Sequence, residues 1–192
     1  VEEVEATLDS VGIAAYCDLT ANARVDFAEG GYVLTSRPIE EFFEGPGRTH
    51  PDLFYCFTMA ELARSSDRPL CADVASFAEA CAGMLEEHVS LGAKGLKVLK
   101  EVSLMHHDAA GDLINIDDEA LSPVWDAAGD LGGPVLIHQS DPYGFFEPVE
   151  PYNEHYETLS KFPSWSFADP RFPGKRELLE RRDRMIARHP NT

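Results

Sequence analysis

His138 is the residue whose position points most directly to chemistry. It follows the apolar segment PVLI at 134–137 and opens the polar segment QSDP at 139–142. In parallel α/β proteins the catalytic groups lie at the carboxyl ends of strands, and imidazole is a common ligand of Zn²⁺. Because a metal site needs three or four ligands, two interpretations remain open. His138 is a metal ligand, or it is a histidine that is hydrogen-bonded or exposed at the strand end.

Lys97 is the second candidate. In the segment GLKVL at 95–99, Leu96 and Val98 share one face of a strand and Lys97 lies on the other. A charge on the face that helices cover would be costly, so Lys97 is predicted to point away from the helices. Asp18, on the corresponding face of an earlier strand, is its predicted counter-ion. A catalytic role for Lys97 is the alternative.

The third candidate is the long segment 139–173, which is rich in aromatic residues and prolines. Its aromatic residues are Tyr143, Phe145, Phe146, Tyr152, Tyr156, Phe162, Trp165, Phe167 and Phe172. Long loops in compact domains are usually functional, which predicts a lid over an organic substrate. A hydrophobic cluster that touches no substrate is the alternative. Phe145, Phe146 and Trp165, together with Lys97, are the predicted substrate-binding residues.

Other catalytic signatures are weak or missing in the sequence. The run His106-His107-Asp108 resembles a metal motif, but neighbouring residues of an extended chain point apart, so it is not predicted to bind one ion. The sequence contains no G-x-S-x-G nucleophile motif and no glycine-rich nucleotide motif after any predicted strand.

Four short apolar segments that must position these residues are predicted to be buried strands. They are 12–19, 53–59, 95–99 and 134–138. Helices are predicted over Val1–Ser10, over a stripe from Phe77 to Leu91 that begins with a Ser76/Glu79 capping box, and over a stripe from Leu121 to Leu131. The basic segment 175–188 is predicted to be a solvated helix. This alternation predicts a parallel sheet in βα units, without separating an open sheet from part of a barrel.

Composition excludes several classes of protein. The chain has 192 residues and a net charge of −18, which argues against a nucleic-acid partner because phosphates need a basic surface. No apolar run is long enough for a membrane span. The four cysteines form no C-x-x-C pair, which predicts reduced thiols and a cytoplasmic protein. A small-molecule substrate is the expected partner, and a homo-oligomer is possible.

Three blocks of the sequence together resemble the amidohydrolase-2 branch of the amidohydrolase superfamily. The blocks are GAKGLKVLK, DDEALSPVWDAAGDLGGPVLIHQSDP and the stretch from FFEP to RHPNT. The resemblance covers about residues 75–192 well. It covers 1–74 more loosely, through VGIAAYCDL and HPDLFYCF.

The resemblance implies a (β/α)8 barrel with a divalent metal, usually Zn²⁺, at its C-terminal mouth. The four predicted strands would be barrel strands two to five, so that residues 1–192 form a single incomplete barrel domain and His138 matches the fifth-strand histidine ligand. The family's H-x-H pair, sixth-strand histidine and eighth-strand aspartate have no counterpart in this sequence. We expect them to precede Val1 and to follow Thr192.

The leading functional hypothesis is therefore a metal-dependent hydrolase, in which metal-activated water attacks a carbonyl-type bond of a small organic substrate. A non-oxidative decarboxylase of the same branch is the alternative, with Arg171 as the one arginine of the aromatic loop. A truncated, non-catalytic fragment that lacks the metal site is the third possibility.

Overall fold

A computed structural model describes residues 2–28 and 31–192 of the chain. Its strands are β1 (Tyr16–Asp18), β2 (Ala23–Ala28), β3 (Gly31–Ser36), β4 (Phe54–Cys56), β5 (Leu96–Val98) and β6 (Val135–Ile137). Its helices are α1 (Glu2–Ser10), α2 (Glu40–Glu44), α3 (Pro46–Thr49), α4 (Val74–Leu91), α5 (Ser122–Leu131), α6 (Tyr156–Lys161) and α7 (Lys175–Arg188). Val1, the first residue of the predicted N-terminal helix, lies outside the described residues.

The four predicted strands run parallel, in their order along the chain. β1 pairs with β4 and β5 pairs with β6, both in parallel. A parallel bridge between Thr58 and Leu96 joins the two pairs, and the Lys97 N–H donates to the Thr58 carbonyl at 2.7 Å. The fold is thus mixed α/β with short parallel sheets, as predicted.

The strands are shorter than predicted, at three residues each for β1, β4, β5 and β6. Local turns explain the late starts. Gly12 adopts a φ of +71° and its N–H donates to Asp9, so the chain is still turning at the start of the first predicted strand. The outer strands are exposed on the face that an incomplete barrel is expected to leave open, since Tyr16 on β1 is 49% exposed and Leu136 on β6 is 43% exposed.

The structure contains an antiparallel hairpin of β2 and β3 that is not among the predicted elements. Its register places Arg24 opposite Thr35 and Val25 opposite Leu34. The alternation of polar and apolar residues over 24–27, followed by the turn-forming sequence EGG, is the signal that could have revealed it. The hairpin matters because it brings Tyr32 and Arg37 to the carboxyl ends of the parallel strands, as described below.

Helices α4 and α5 bury one face of the parallel strands. Leu96 and Val98 pack into a core with Phe77 and Leu85 of α4 and Trp125 of α5. The predicted Ser76/Glu79 capping box is wrong, because α4 already begins at Val74 and Ser76 lies inside the helix. Asp73 is the N-cap, and its carboxylate accepts from the Ser76 N–H at 2.8 Å, which removes Ser76 from that role.

The four cysteines are free thiols: Cys56 and Cys81 are buried, and Cys17 is exposed. Within the described part of the chain, no helix is both long and apolar enough to cross a membrane.

His106 gives the fold a dependence on pH. Its side chain is 1% exposed, its Nδ1 has no hydrogen-bond partner among the described residues, and burial lowers its pKa to about 4. The unfolded chain takes up a proton near pH 6.5, whereas the folded protein does not until about pH 4. Stability is therefore lost as the pH falls between these two values, by about 3 kcal/mol in all.

We expect His106→Leu to remove this part of the acid sensitivity. Urea unfolding of the protein and the variant at pH 7 and pH 4.5 measures the difference. When the pH is lowered from 7 to 4.5, the unfolding free energy of the variant should rise relative to that of the unmodified protein by more than about 1 kcal/mol. A difference between the two proteins that stays the same at both pH values would contradict the assignment.

Candidate active site

His138 stands where β6 ends. Its N–H donates to the carbonyl of Val98 at 2.9 Å, so the pairing with β5 continues to this residue and fixes its backbone. The imidazole is 41% exposed, and its Nε2 lies 3.6 Å from Oδ1 of Asp141. That distance is a charge contact rather than a hydrogen bond. Nδ1 has no partner among the described residues, so one ring nitrogen is available to a ligand.

Asp141 is held in place by two lysines. The Lys100 ammonium donates to its Oδ2, and the Lys175 ammonium donates to its backbone carbonyl. Burial by itself would raise the pKa of Asp141, but His138 and Lys100 outweigh burial and lower it. Asp141 is therefore a fixed carboxylate beside His138. A carboxylate that accepts an imidazole N–H orients the ring and makes it a better ligand; at 3.6 Å Asp141 is close to His138 without forming that hydrogen bond.

Lys97 lies one step below His138 on the same face of the sheet. It pairs with Leu136, and Leu136 and His138 share a face because side chains alternate along a strand. Lys97 is only 7% exposed; burial lowers its pKa, while the charge of Glu101 acts in the opposite direction. Among the described residues, no acceptor lies within ion-pair or hydrogen-bond distance of its Nζ.

The predicted pairing of Lys97 with Asp18 is wrong. Asp18 instead contacts Arg37, with Nη2 and Oδ2 3.3 Å apart, and it accepts the Thr20 N–H at 2.9 Å. The physical reason is the hairpin, because the chain leaving β3 brings Arg37 back to the end of β1.

Tyr32 and Glu101 are residues of this region that sequence reasoning missed. The Tyr32 hydroxyl donates to Oε1 of Glu101, which links the hairpin to the loop after β5. Burial and the charge of Glu101 raise the pKa of Tyr32, so the phenol stays protonated. Glu101 is 3% exposed, and its Oε2 has no hydrogen-bond partner among the described residues.

The aromatic segment 139–173 forms its own small core. Phe145 and Phe167 are buried with Leu104, Leu159 and Leu178, and Phe146 and Trp165 pack against them. Two cations attach this core to Asp141: Lys100 lies 5.2 Å from the Phe167 ring centre, and Lys175 lies 5.9 Å from that of Phe146. The segment therefore adjoins His138, as a lid would. Contact of Phe145, Phe146 and Trp165 with a substrate stays a prediction.

The residues of this site do not complete a metal centre. In the ranges 2–28 and 31–192 there is no group of three or more His, Cys, Asp or Glu side chains that could hold a metal ion. His138 offers one donor, and the Asp141 carboxylate is already taken by Lys100. The side chains of His106, His107 and Asp108 do not form a metal site either. His106 is buried, and the Asp108 carboxylate accepts backbone N–H groups at 2.9 and 3.0 Å.

Sequence comparisons and structure comparisons differ in outcome. Neither a protein-family model nor a curated protein matches the chain. Solved structures do match. One is a protein from Staphylococcus aureus described as a putative amidohydrolase, at 15% identity and a TM-score of 0.45, covering 79% of this chain and 43% of that one.

Two further matches are crystal structures of 2,6-dihydroxybenzoate decarboxylase. One is in complex with 2,6-dihydroxybenzoate (16% identity) and the other is from Rhizobium (18% identity). Each has a TM-score of 0.45, with 79% of this chain and 40% of that chain covered. The chain thus spans about two fifths of the length of the structures it matches. The structures that the chain matches in part are thus a protein described as an amidohydrolase and two decarboxylase structures, the kinds of enzyme that the resemblance predicted from the sequence names.

Proposed function

We propose that the complete protein is a metal-dependent hydrolase of the amidohydrolase superfamily, and that this chain contributes strands two to five of its (β/α)8 barrel. The observation that carries the proposal is His138. It lies at the carboxyl end of a parallel strand, has one free ring nitrogen, and is flanked at 3.6 Å by an ionised, lysine-held aspartate. Imidazole is a common ligand of Zn²⁺, and the carboxyl ends of parallel barrel strands are where catalytic groups lie.

The metal would be a divalent ion, and Zn²⁺ is the one we propose. Since His138 is one donor and three or four are needed, the other ligands would come from parts of the complete protein outside this chain. If no such parts exist, the chain is a non-catalytic fragment.

The substrate would be a small organic molecule with a bond of the carbonyl type, bound between Lys97 and the aromatic segment. Phe146 adjoins the Asp141 region through Lys175, and Lys97 offers an ammonium group without a protein partner among the described residues. We propose that the aromatic segment excludes water from the bound substrate and that Lys97 attracts its polar end.

Decarboxylation is the second candidate, and Lys97 is the observation that favours it. A decarboxylase has to hold a carboxylate, and the sequence shows few cations suited to that task. The guanidinium of Arg171 lies over the Phe172 ring, 4.8 Å from the ring centre. The buried Lys97 is the better-placed cation, because it shares the His138 face of the sheet.

Metal analysis and product analysis of the purified complete protein test these proposals together. We expect about one divalent metal per chain and turnover of amide or ester substrates. Release of carbon dioxide from small aromatic acids would favour the second candidate instead. Lys97→Met, which keeps the apolar stem, should lower decarboxylation at least tenfold, because it removes the charge that holds the carboxylate.

The hydrolase proposal expects Lys97→Met to act mainly on KM. A metal-free complete protein without either activity would contradict both candidates and favour the non-catalytic fragment.

A further inference from the structure

A pocket apart from the His138 region lies between the loop after β4, the turn region 104–113 and the end of the aromatic segment. Its volume is about 280 Å³. Its apolar wall is made by Leu104, Met105, Leu113 and Phe172. Its polar groups are Ser66, His107 and Arg171, and it shares no residue with the His138–Asp141 cluster.

Arg171 is positioned at this pocket by aromatic stacking. Its guanidinium lies over the Phe172 ring, 4.8 Å from the ring centre, and Phe172 packs edge-on against Phe167 at 5.1 Å. Stacking orients the planar guanidinium and leaves its N–H edge free for a ligand. No carboxylate of the described residues lies within ion-pair distance of it. The nearest candidate in sequence, Asp169, accepts the backbone N–H of Arg171 at 2.9 Å.

His107 is brought to the same pocket by backbone contacts. Its carbonyl accepts the Leu70 N–H at 2.8 Å, and it forms an antiparallel bridge with Leu113. An imidazole donates at least one N–H whether it is neutral or charged. The neighbouring Asp108 carboxylate accepts the N–H groups of Ala110 and Asp112, so these bonds hold it against its own turn, and it is not among the residues that line the pocket.

The charge of this pocket is opposite to that of the chain. The chain carries a net charge of −18, yet the described residues that line the pocket include an arginine and a histidine and no carboxylate. An apolar wall with convergent hydrogen-bond donors is the usual composition of a small-ligand site. A guanidinium that is stacked, without a described carboxylate partner and next to apolar side chains suits a planar carboxylate.

We propose that this pocket binds a small monocarboxylate with an apolar body. The carboxylate meets Arg171 and the His107 N–H, and the hydrocarbon part lies against Leu104, Met105 and Leu113. This site is separate from the one proposed for the reaction. The carboxylate-binding proposal therefore does not depend on which reaction the complete protein catalyses. The volume of about 280 Å³ has room for a five- or six-carbon acid, since a cavity of about 150 Å³ holds benzene.

Calorimetric titration of the complete protein with pentanoate tests the proposal. We expect saturable binding of pentanoate and none of pentan-1-ol, which has the same apolar body without the charge. Arg171→Gln should weaken pentanoate binding at least tenfold. Arg176→Gln is the matched control, because Arg176 is exposed on α7 and paired with Glu180 at 2.8 Å; it should leave binding unchanged.

Two further measurements keep the proposal falsifiable if Arg171→Gln fails to fold. Pentanoate should shift the methyl resonance of Met105 in the unmodified protein, and His138→Ala should still bind pentanoate. Equal binding by Arg171→Gln, equal binding of pentan-1-ol, or loss of binding in His138→Ala would overturn the proposal. Loss of pentanoate binding in His138→Ala would mean that pentanoate binds at the proposed reaction site. Loss of activity in His138→Ala with intact pentanoate binding would show that the two sites are separate.

Discussion

Replacing His138 by alanine is expected to lower kcat/KM of the complete protein by more than about 100-fold, because one of a few metal ligands would be lost. Metal content should fall in parallel when it is measured by elemental analysis after dialysis. Because the substitution removes a group needed for the reaction and not only for substrate binding, kcat should fall along with kcat/KM.

The fold should tolerate this change. The imidazole is 41% exposed, and the structural contact of His138 is its backbone N–H to the Val98 carbonyl at 2.9 Å, which alanine keeps. The expected loss of stability is below about 1 kcal/mol, as for surface positions outside the core. Unchanged urea unfolding together with lost activity would separate a functional role from a structural one.

His50→Ala is the matched control for this prediction. His50 precedes β4, at the opposite end of the parallel strands, and contacts Glu5 with Nε2 and Oε2 3.1 Å apart. It should keep both metal and activity. Full activity of His138→Ala, or equal losses in both variants, would contradict the assignment of His138 as a ligand.

The parts of the fold that the sequence predicted are those governed by local periodicity. α5 occupies Ser122–Leu131, where the sequence has a clear apolar stripe, and α7 occupies Lys175–Arg188, the basic segment that was predicted to be a solvated helix. The terminal glycine of α5, Gly132, has a φ of +64°, as a helix stop requires. Strand positions were also predictable, but their lengths were not, since turns such as that at Gly12 depend on how neighbouring segments dock.

Long-range contacts account for what was missed at the candidate site. The position of His138 at a strand end follows from the sequence, whereas the partnership of Asp141 with Lys100 and Lys175 joins residues up to 41 positions apart. Face parity alone assigns Asp18 to Lys97. The alternation of side chains along a strand shows on which side of the sheet Asp18 lies, but not which residue it contacts. The hairpin that was not predicted brings Arg37 to Asp18 instead.

Gly95→Ala is the substitution expected to damage the fold most. A Cβ at this position would lie 2.2 Å from the carbonyl oxygen of Pro134 and 3.0 Å from Cε2 of Phe57. The first contact is with backbone, which cannot rotate away as a side chain can. The Gly95 carbonyl also accepts the Thr58 N–H at 3.0 Å, and the Pro134 carbonyl accepts the Leu96 N–H at 3.1 Å. Relief of the clash therefore breaks the contacts that join β4, β5 and β6.

We expect this variant to lose about 3–5 kcal/mol of unfolding free energy, at the upper end of the range for single substitutions. Urea unfolding measures it. Gly83→Ala is the matched control, since Gly83 lies inside α4 and a methyl group there would meet no atom within 4 Å beyond the backbone of its own helix. It should gain up to about 1 kcal/mol, the helix preference of alanine over glycine. A Gly95→Ala variant within about 1 kcal/mol of the unmodified protein would contradict the close approach of β5 and β6, and with it the register that places Lys97 beside His138.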